Sequence, residues 1–322
     1  MKAGLFRFFA IALAVLVIAP ASVWAASYPV RTVRLIVPYP PGGTTDMIAR
    51  TYADRLSAEL KQAVVVENKP GASTNIGAES VARSDPDGYT LLFSASGSVT
   101  STVFGPKPPF DPIEDFAPIS MIADIPFVLA ANTEAPFSTM QALLKEAKLK
   151  PGQYTVSSAQ LNSYVELLKS RAEINLLHIP YKGGAQSITD AISGQVDMVF
   201  TLLPVMLPHI EAHRLVPLAV TSERRSSRLP QVPTLKELGV NYDMVSWFSL
   251  EAPAGTPEPV VAFLSKMTRQ VVADPEFIAS LEHVGAVAVG SQPEELAARI
   301  AQQLAAWREV AEQYPELVNI HK

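Results

Sequence analysis

Between Phe116 and Asn132 the chain reads FAPISMIADIPFVLAAN, an extended apolar run longer than one ordinary strand requires. Ahead of it, strand-like and helix-like segments alternate. TVRLIVPY reads as a buried strand, and Ile48, Tyr52, Leu56 and Leu60 recur at helical spacing. AVVVEN is a second strand, NIGAESVARS a short helix, and DPDGYTLLFSAS a turn into a third strand. After the run a second alternating series begins. Ser138 with Gln141 reads as a capping box for a helix over Met140 to Ala147. YTVSSA, SYVELLKSRA, NLLHIPY, AQSITDAIS, VDMVF, VMLPHIEAH and LVPLAVT then follow as strand and helix in turn.

Strand and helix alternating in this way predict parallel sheets covered by helices. A second extended run, YDMVSWFSLEAP from Tyr242 to Pro253, reads as the return crossing. Three helices follow it. Thr256 with Pro257 and Asp274 with Pro275 have the order of an N-cap and a first-turn proline, and Ser291 with Glu294 reads as a capping box. Ile300, Leu304 and Trp307 mark the buried stripe of the last helix. The expected architecture is α/β in two lobes joined by two crossing segments. Residues 27–127 and 252–322 form the first lobe and 128–251 the second, inserted lobe. Such a layout leaves a cleft between the lobes, where small ligands commonly bind.

The chain starts with Lys2 and Arg7 before an apolar run from Phe8 to Ala19, then Pro20 and the small-residue end Val23-Trp24-Ala25. This pattern predicts a secretory signal peptide over residues 1–26 and an extracytoplasmic protein. There is no cysteine, which excludes disulfides, thiolate metal sites and a lipid anchor attached through cysteine. The formal charge of −5 falls to −7 once Lys2 and Arg7 are removed, so no electrostatic footprint for nucleic acid remains. The basic cluster ERRSSR, from Glu223 to Arg228, reads as a solvated loop.

Catalytic patterns are missing. The sequence has no G-x-S-x-G elbow, S-x-x-K or P-loop, and the pair His209 and His213 lacks the acidic partner of a HExxH site. Those histidines read as two partly exposed residues on an amphipathic helix. No enzyme, cofactor or metal is implied.

Turns rich in glycine or hydroxyl recur at the expected strand ends instead. They are PYPPGGTTD (Pro38 to Asp46), SASGS (Ser94 to Ser98, with Ser96 at its centre), SSAQLNS (Ser157 to Ser163), YKGGAQS (Tyr181 to Ser187) and FTLLP (Phe200 to Pro204). Main-chain N–H groups and hydroxyls at helix starts can bind a carboxylate without a dedicated arginine.

Taken together, YPVRTVRLIVPYPPGGTTD, VVVENKPGASTNIGAESVARSDPDGYTLL, FDPIEDFAPISMIA, HIPYKGGAQSITDAISGQVDMVF, LAVTSERRSSRLPQVPTLKELG and WFSLEAPAGTP resemble the Bug family. These are the TctC-type periplasmic solute receptors of tripartite tricarboxylate transporters. The resemblance covers nearly all of the chain after the leader. It implies a type II, Venus-flytrap periplasmic binding protein that closes on one small ligand, usually a carboxylate, and presents it to membrane permease subunits. A ligand-sensing receptor acting on a signalling partner would use the same cleft. A monomer suits either.

By that resemblance one end of the ligand meets Tyr39, Pro41, Gly42, Gly43, Thr44 and Asp46, partly through bridging waters. The other carboxylate meets Ser157, Ser158, Ser163 and the turn of Tyr181, Lys182 and Gly183, where Lys182 reads equally as a surface lysine. Two departures stand out. YTVSSAQLNSYVE replaces a Gly-Ser-rich loop roughly of the form YGSSGxGSSSH, which alters the usual carboxylate clamp. Thr201 follows DMVF where members commonly carry an aspartate able to pair with a ligand amino group, which argues against an amino-acid ligand. Trp247 and Phe248 either pack the hinge or wall the pocket, with packing the preferred reading.

Overall fold

The computed structural model describes residues 28–159, 161–181 and 184–319. The expected leader, residues 1–26, lies outside the described residues, as do Lys182 and Gly183.

In the first alternating series, β1 (Val33–Val37), β2 (Val64–Asn68) and β3 (Thr90–Ala95) are each followed by a helix: α1 (Thr44–Leu60), α2 (Asn75–Ala82) and α3 (Ser96–Phe104). The long run is one strand, β4 (Phe116–Asn132). The second series is α4 (Met140–Leu149), β5 (Thr155–Ala159), α5 (Asn162–Ala172), β6 (Leu177–Tyr181), α6 (Gly184–Ile192), β7 (Met198–Leu202), α7 (Leu203–Glu211) and β8 (Leu215–Val220). The return strand β9 (Val245–Pro253), α8 (Glu258–Val272), α9 (Pro275–His283), β10 (Val287–Ala288) and α10 (Pro293–Gln313) complete the described chain.

The first half of β4 belongs to one lobe and its second half to the other. Phe116 to Pro126 pairs with β9, and Phe127 to Ala131 pairs with β7, so the strand order is β2-β1-β3-β9-β4-β7-β5-β6. Strand directions then fix where the rims lie. β1 is parallel to β2 and β3, and β5 is parallel to β6 and β7. β9 is antiparallel to both β3 and β4, so β4 leaves the first lobe in the direction of β1 to β3. β7 is antiparallel to β4, so the second set points back toward the first lobe. The carboxyl ends of the two parallel sets therefore face each other. Ala95, ending β3, lies opposite Phe248, which lies opposite Ala123; Leu202, ending β7, lies opposite Phe127. The waist from Ala123 to Phe127 is about 13 Å long at roughly 3.3 Å per residue.

The helical stripe of α1 is buried as its spacing predicts, with Ile48, Tyr52, Leu56 and Leu60 packed into the first-lobe core beside Phe93, Phe248 and Phe277. The second-lobe core gathers Phe127, Tyr154, Val156, Val165 and Phe200. The last helix serves both. Leu296, Ile300 and Leu304 pack with Val99 and Trp247, whereas Trp307 and Val310 join the second-lobe core.

Helix starts differ from the sequence expectation by one residue in three places. Thr139, not Ser138, caps α4 by accepting from the Ala142 N–H at 3.2 Å. Gln292 with Glu295, not Ser291 with Glu294, forms the capping box of α10. Ser291 is drawn to β4 instead, where its Oγ accepts from the Met121 N–H at 2.9 Å. Thr256 precedes the N-cap Pro257 of α8 and donates to the Pro253 carbonyl at 2.8 Å. Asp274 caps α9 as expected, accepting from the Phe277 N–H at 2.8 Å.

Candidate functional site

Three turns of the first lobe and those of the second meet at the waist. After β1 the chain passes through Gly42, whose φ of +83° lies in the left-handed region that glycine tolerates without strain. The turn is held from behind by Asp46, which is only 4% exposed. Its Oδ2 accepts from the Gly42 N–H at 2.9 Å and from Arg50 Nε at 3.0 Å. Its Oδ1 accepts from Asn68 Nδ2 at 2.8 Å and lies 3.0 Å from Arg50 Nη2. Asn68, the last residue of β2, also donates to the Tyr39 carbonyl at 3.1 Å and accepts from Arg50 Nη2 at 2.9 Å. Burial pushes the Asp46 carboxyl up, but the hydrogen bonds from Arg50, Gly42 and Asn68 outweigh it and hold the group below the usual carboxylate range.

The Tyr39 hydroxyl lies 3.4 Å from Ser98 Oγ, and burial pushes it up to about 12. Pro41, Gly43 and Thr44 complete this turn, with Gly43 as the N-cap of α1. After β2, the turn Gly71 to Thr74 is wholly left-handed, with φ of +127°, +46°, +53° and +81°. Non-glycine residues held there cost on the order of 1–3 kcal/mol each. Ser96, the first residue of α3, is buried: its Oγ donates to Ser246 Oγ at 3.4 Å and its carbonyl accepts from Gln303 Nε2 at 3.1 Å.

In the second lobe the hydroxyls turn inward. Ser157 Oγ donates to the Ser187 and Met198 carbonyls at 3.2 Å and accepts from Ser187 Oγ at 3.0 Å. Ser158 Oγ lies 2.8 Å from His178 Nε2, and burial, with the charge of Lys169, pushes that imidazole down to about 4. The Tyr181 hydroxyl donates to Asp190 at 2.6 Å. Ser163, in the first turn of α5, and Thr201, near the end of β7, are both buried at 7% exposure.

Tyr39, Pro41, Gly42, Gly43, Thr44 and Asp46 thus share one turn, while Ser96 lies beneath the waist and Ser157 and Ser158 inside the second-lobe sheet. Sequence reasoning missed Thr100, Tyr164 and Gln303. Tyr164 Oη lies 3.0 Å from Thr100 Oγ1, Gln303 Nε2 donates to Thr100 Oγ1 at 3.2 Å, and Trp247 Nε1 donates to Gln303. This buried network ties α3, α5, β9 and α10 together. Its one sequence signal was Gln303, a polar residue inside the stripe of Ile300, Leu304 and Trp307. Trp247 and Phe248 are each 1% exposed and so pack the waist. His209 Nδ1 pairs with Arg214 Nη2 at 2.7 Å.

The helix starts supply the chemistry. The N-caps of α1, α2, α3, α5 and α7, which all follow rim strands, are Gly43, Thr74, Ala95, Leu161 and Leu202, and none makes a side-chain cap. Of the helices that follow no rim strand, α4, α9 and α10 are capped by Thr139, Asp274 and Gln292, whereas α8 follows its N-cap Pro257 without a side-chain cap. In α2 the Asn75 and Ile76 N–H groups already reach the Ala72 and Gly71 carbonyls, whereas the first-turn N–H groups of α1, α3, α5 and α7 are left for another acceptor, and the helix dipoles favour an anionic one. Asp46 and Lys69 carry the only charges among the described rim residues 38–46, 69–75, 96–98, 161–163, 181 and 201–204. No helix among the described residues is long and apolar enough to cross a membrane.

Comparison with known proteins agrees with this geometry. The model of the family described as tripartite tricarboxylate transporter family receptor, TctC, matches residues 48–315. Protein BugT of Bordetella pertussis is 35% identical over 296 residues, covering 89% of this chain and 90% of that protein. The structure of R. palustris Rpa4515 with adipate superposes with a TM-score of 0.77 at 32% identity, covering 88% of this chain and 97% of that one. MatC from Rhodopseudomonas palustris with bound malate superposes with a TM-score of 0.73 at 26% identity, covering 88% and 99%.

Proposed function

The chain belongs to the tripartite tricarboxylate transporter receptor family, whose members are solute-binding proteins and not enzymes, and from that premise we propose that it captures a small organic acid between its facing rims. In this reading the protein works in the periplasm, reached through its N-terminal leader, and hands the acid to membrane permease subunits. The observation that carries the ligand class is the set of four rim helix starts, α1, α3, α5 and α7, without side-chain caps. A carboxylate has the acceptor oxygens and the charge that those N–H groups and dipoles favour. The adipate and malate of the two related structures are of the same chemical class.

The first-lobe turn from Tyr39 to Thr44 takes one end of the acid, and the starts of α5, α6 and α7 take the other. Contacts to both rims select the closed arrangement of the lobes, which excludes water from the cleft. Thr201 offers a hydroxyl, not a carboxylate, at the second rim, which suits an acid without an amino group.

The test is a thermal-shift screen of the protein lacking residues 1–26 against mono-, di- and tricarboxylates, amino acids and aromatic acids. Binding to the folded state raises stability by roughly 2.7 kcal/mol at a hundredfold excess over Kd. A selective upward shift with one acid is expected. A flat response to every carboxylate would overturn the reading.

A further inference from the structure

Asp46 sits in the first turn of α1 with a full negative charge, beside the N–H groups that the proposed ligand would use. An unpaired carboxylate there would compete for the helix dipole and repel an incoming anion. In the structure its charge is answered by Arg50, one turn along the same helix, whose Nε and Nη2 reach both carboxylate oxygens at 3.0 Å. Arg50 is half exposed on its outer side, and it reaches Asn68 Oδ1 at 2.9 Å. The guanidinium therefore closes a ring of hydrogen bonds behind the Gly42 turn, in which Arg50 donates to Asp46 and to Asn68, and Asn68 donates to Asp46. Within the described rim residues Lys69 is the sole other charge, and its Nζ is 3.5 Å from Ser80 Oγ.

We propose that Arg50 is a positioning residue of the cleft: by neutralising Asp46 from behind, it lets the α1 start accept a carboxylate that would otherwise meet a like charge. The inference rests on the carboxylate reading above. Asp46 acts through the turn by fixing the Gly42 N–H, and Arg50 acts through Asp46. The ligand meets the turn, not the ion pair. A forked guanidinium suits this better than an ammonium because it spans both oxygens at once.

The test measures Kd by calorimetry for malate, adipate, citrate and benzoate, taking the tightest binder as probe, in low and high salt. Arg50→Met is expected to weaken binding by about three- to tenfold in low salt, because an unscreened like charge now lies near the ligand. In about 0.5 M salt the deficit shrinks to under about twofold. Arg50→Lys, which keeps the charge, recovers most of the loss, and adding Asp46→Asn to Arg50→Met brings the affinity back toward wild type. Thermal denaturation of each variant shows that the fold is intact.

Wild-type affinity in Arg50→Met overturns the inference and leaves the proposed function standing. A loss that ignores salt and is restored by neither companion variant also overturns it, because the role is then bracing and not charge. If the wild type binds none of these four, the probe is taken from the wider carboxylate screen, and a flat response there overturns the proposed function and the inference with it.

Discussion

In the first lobe the turn after β1 is held from outside, by Asp46, Asn68 and Arg50, so that its concave side and the start of α1 stay open. In the second lobe Ser157 and Ser158 point into their own sheet and spend their hydroxyls on Ser187, Met198 and His178. In the proposed reading the first rim is a preset cradle, whereas the second would offer its helix starts, and not those serines, to the ligand. The same contrast runs below the rims. The first lobe buries a carboxyl, Glu251, at 4% exposure, and the second holds the His178 imidazole half-buried.

The largest expected effect follows from Glu251. Burial pushes the Glu251 carboxyl up from 4.5 to about 7, against the hydrogen bonds of Ser249 and Ser94. Because the folded state holds the proton more tightly than the unfolded chain, the full stability is present below pH 4.5 and is lost as pH rises through about 7. The loss reaches about 3 kcal/mol. Glu251→Gln stays neutral and is expected to be more stable than wild type at pH 8 and about equal near pH 5, by urea denaturation. His178 has the opposite sign. Its lowered value makes stability present above 6.5 and lost as pH falls toward about 4. A variant that left the alkaline decline unchanged would show that Glu251 is not its source.

Next comes Ser157→Ala, which removes the partner of Ser187 Oγ inside the sheet. It is expected to cost about 1–3 kcal/mol of stability. Ligand affinity should hold within about twofold, since a hydroxyl spent inside the lobe adds little to binding. A large fall in affinity with stability kept would reverse the contrast between the rims and make Ser157 a ligand contact.

The smallest effect concerns the left-handed turn after β2. Ser73→Gly relieves a non-glycine residue at φ +53° and is expected to raise stability by about 1 kcal/mol. A destabilised variant would mean that the Ser73 side chain holds the turn.

Much of this fold was legible in local patterns. The stripe of α1, the Asp274 start of α9 and the long run of β4 each depend on residues a few positions apart, and each appears where the sequence placed it. The boundaries of the capping boxes were less legible, because Ser291 could cap α10 or tie to β4 and only the packed sheet decided for β4. The candidate site divides the same way. The glycine turn and its threonines could be read directly, but the direction in which Ser157 and Ser158 point could not. A strand alternates faces at every residue, and which face is interior depends on partners elsewhere in the chain.

What the sequence by itself determined was the alternation of strand and helix, the two crossings and the chemical character of the rims, because periodicity and turn chemistry are local properties. What only the tertiary structure decided was which polar groups are spent and which remain for a ligand. Asp46 meets Asn68 across 22 residues, Thr100 meets Tyr164 across 64, and Gln303 meets Thr100 across 203. Hydrogen-bond satisfaction is settled by neighbours in space: the first and last of these pairings needed the first lobe assembled, and Thr100 with Tyr164 needed the two lobes joined at the waist.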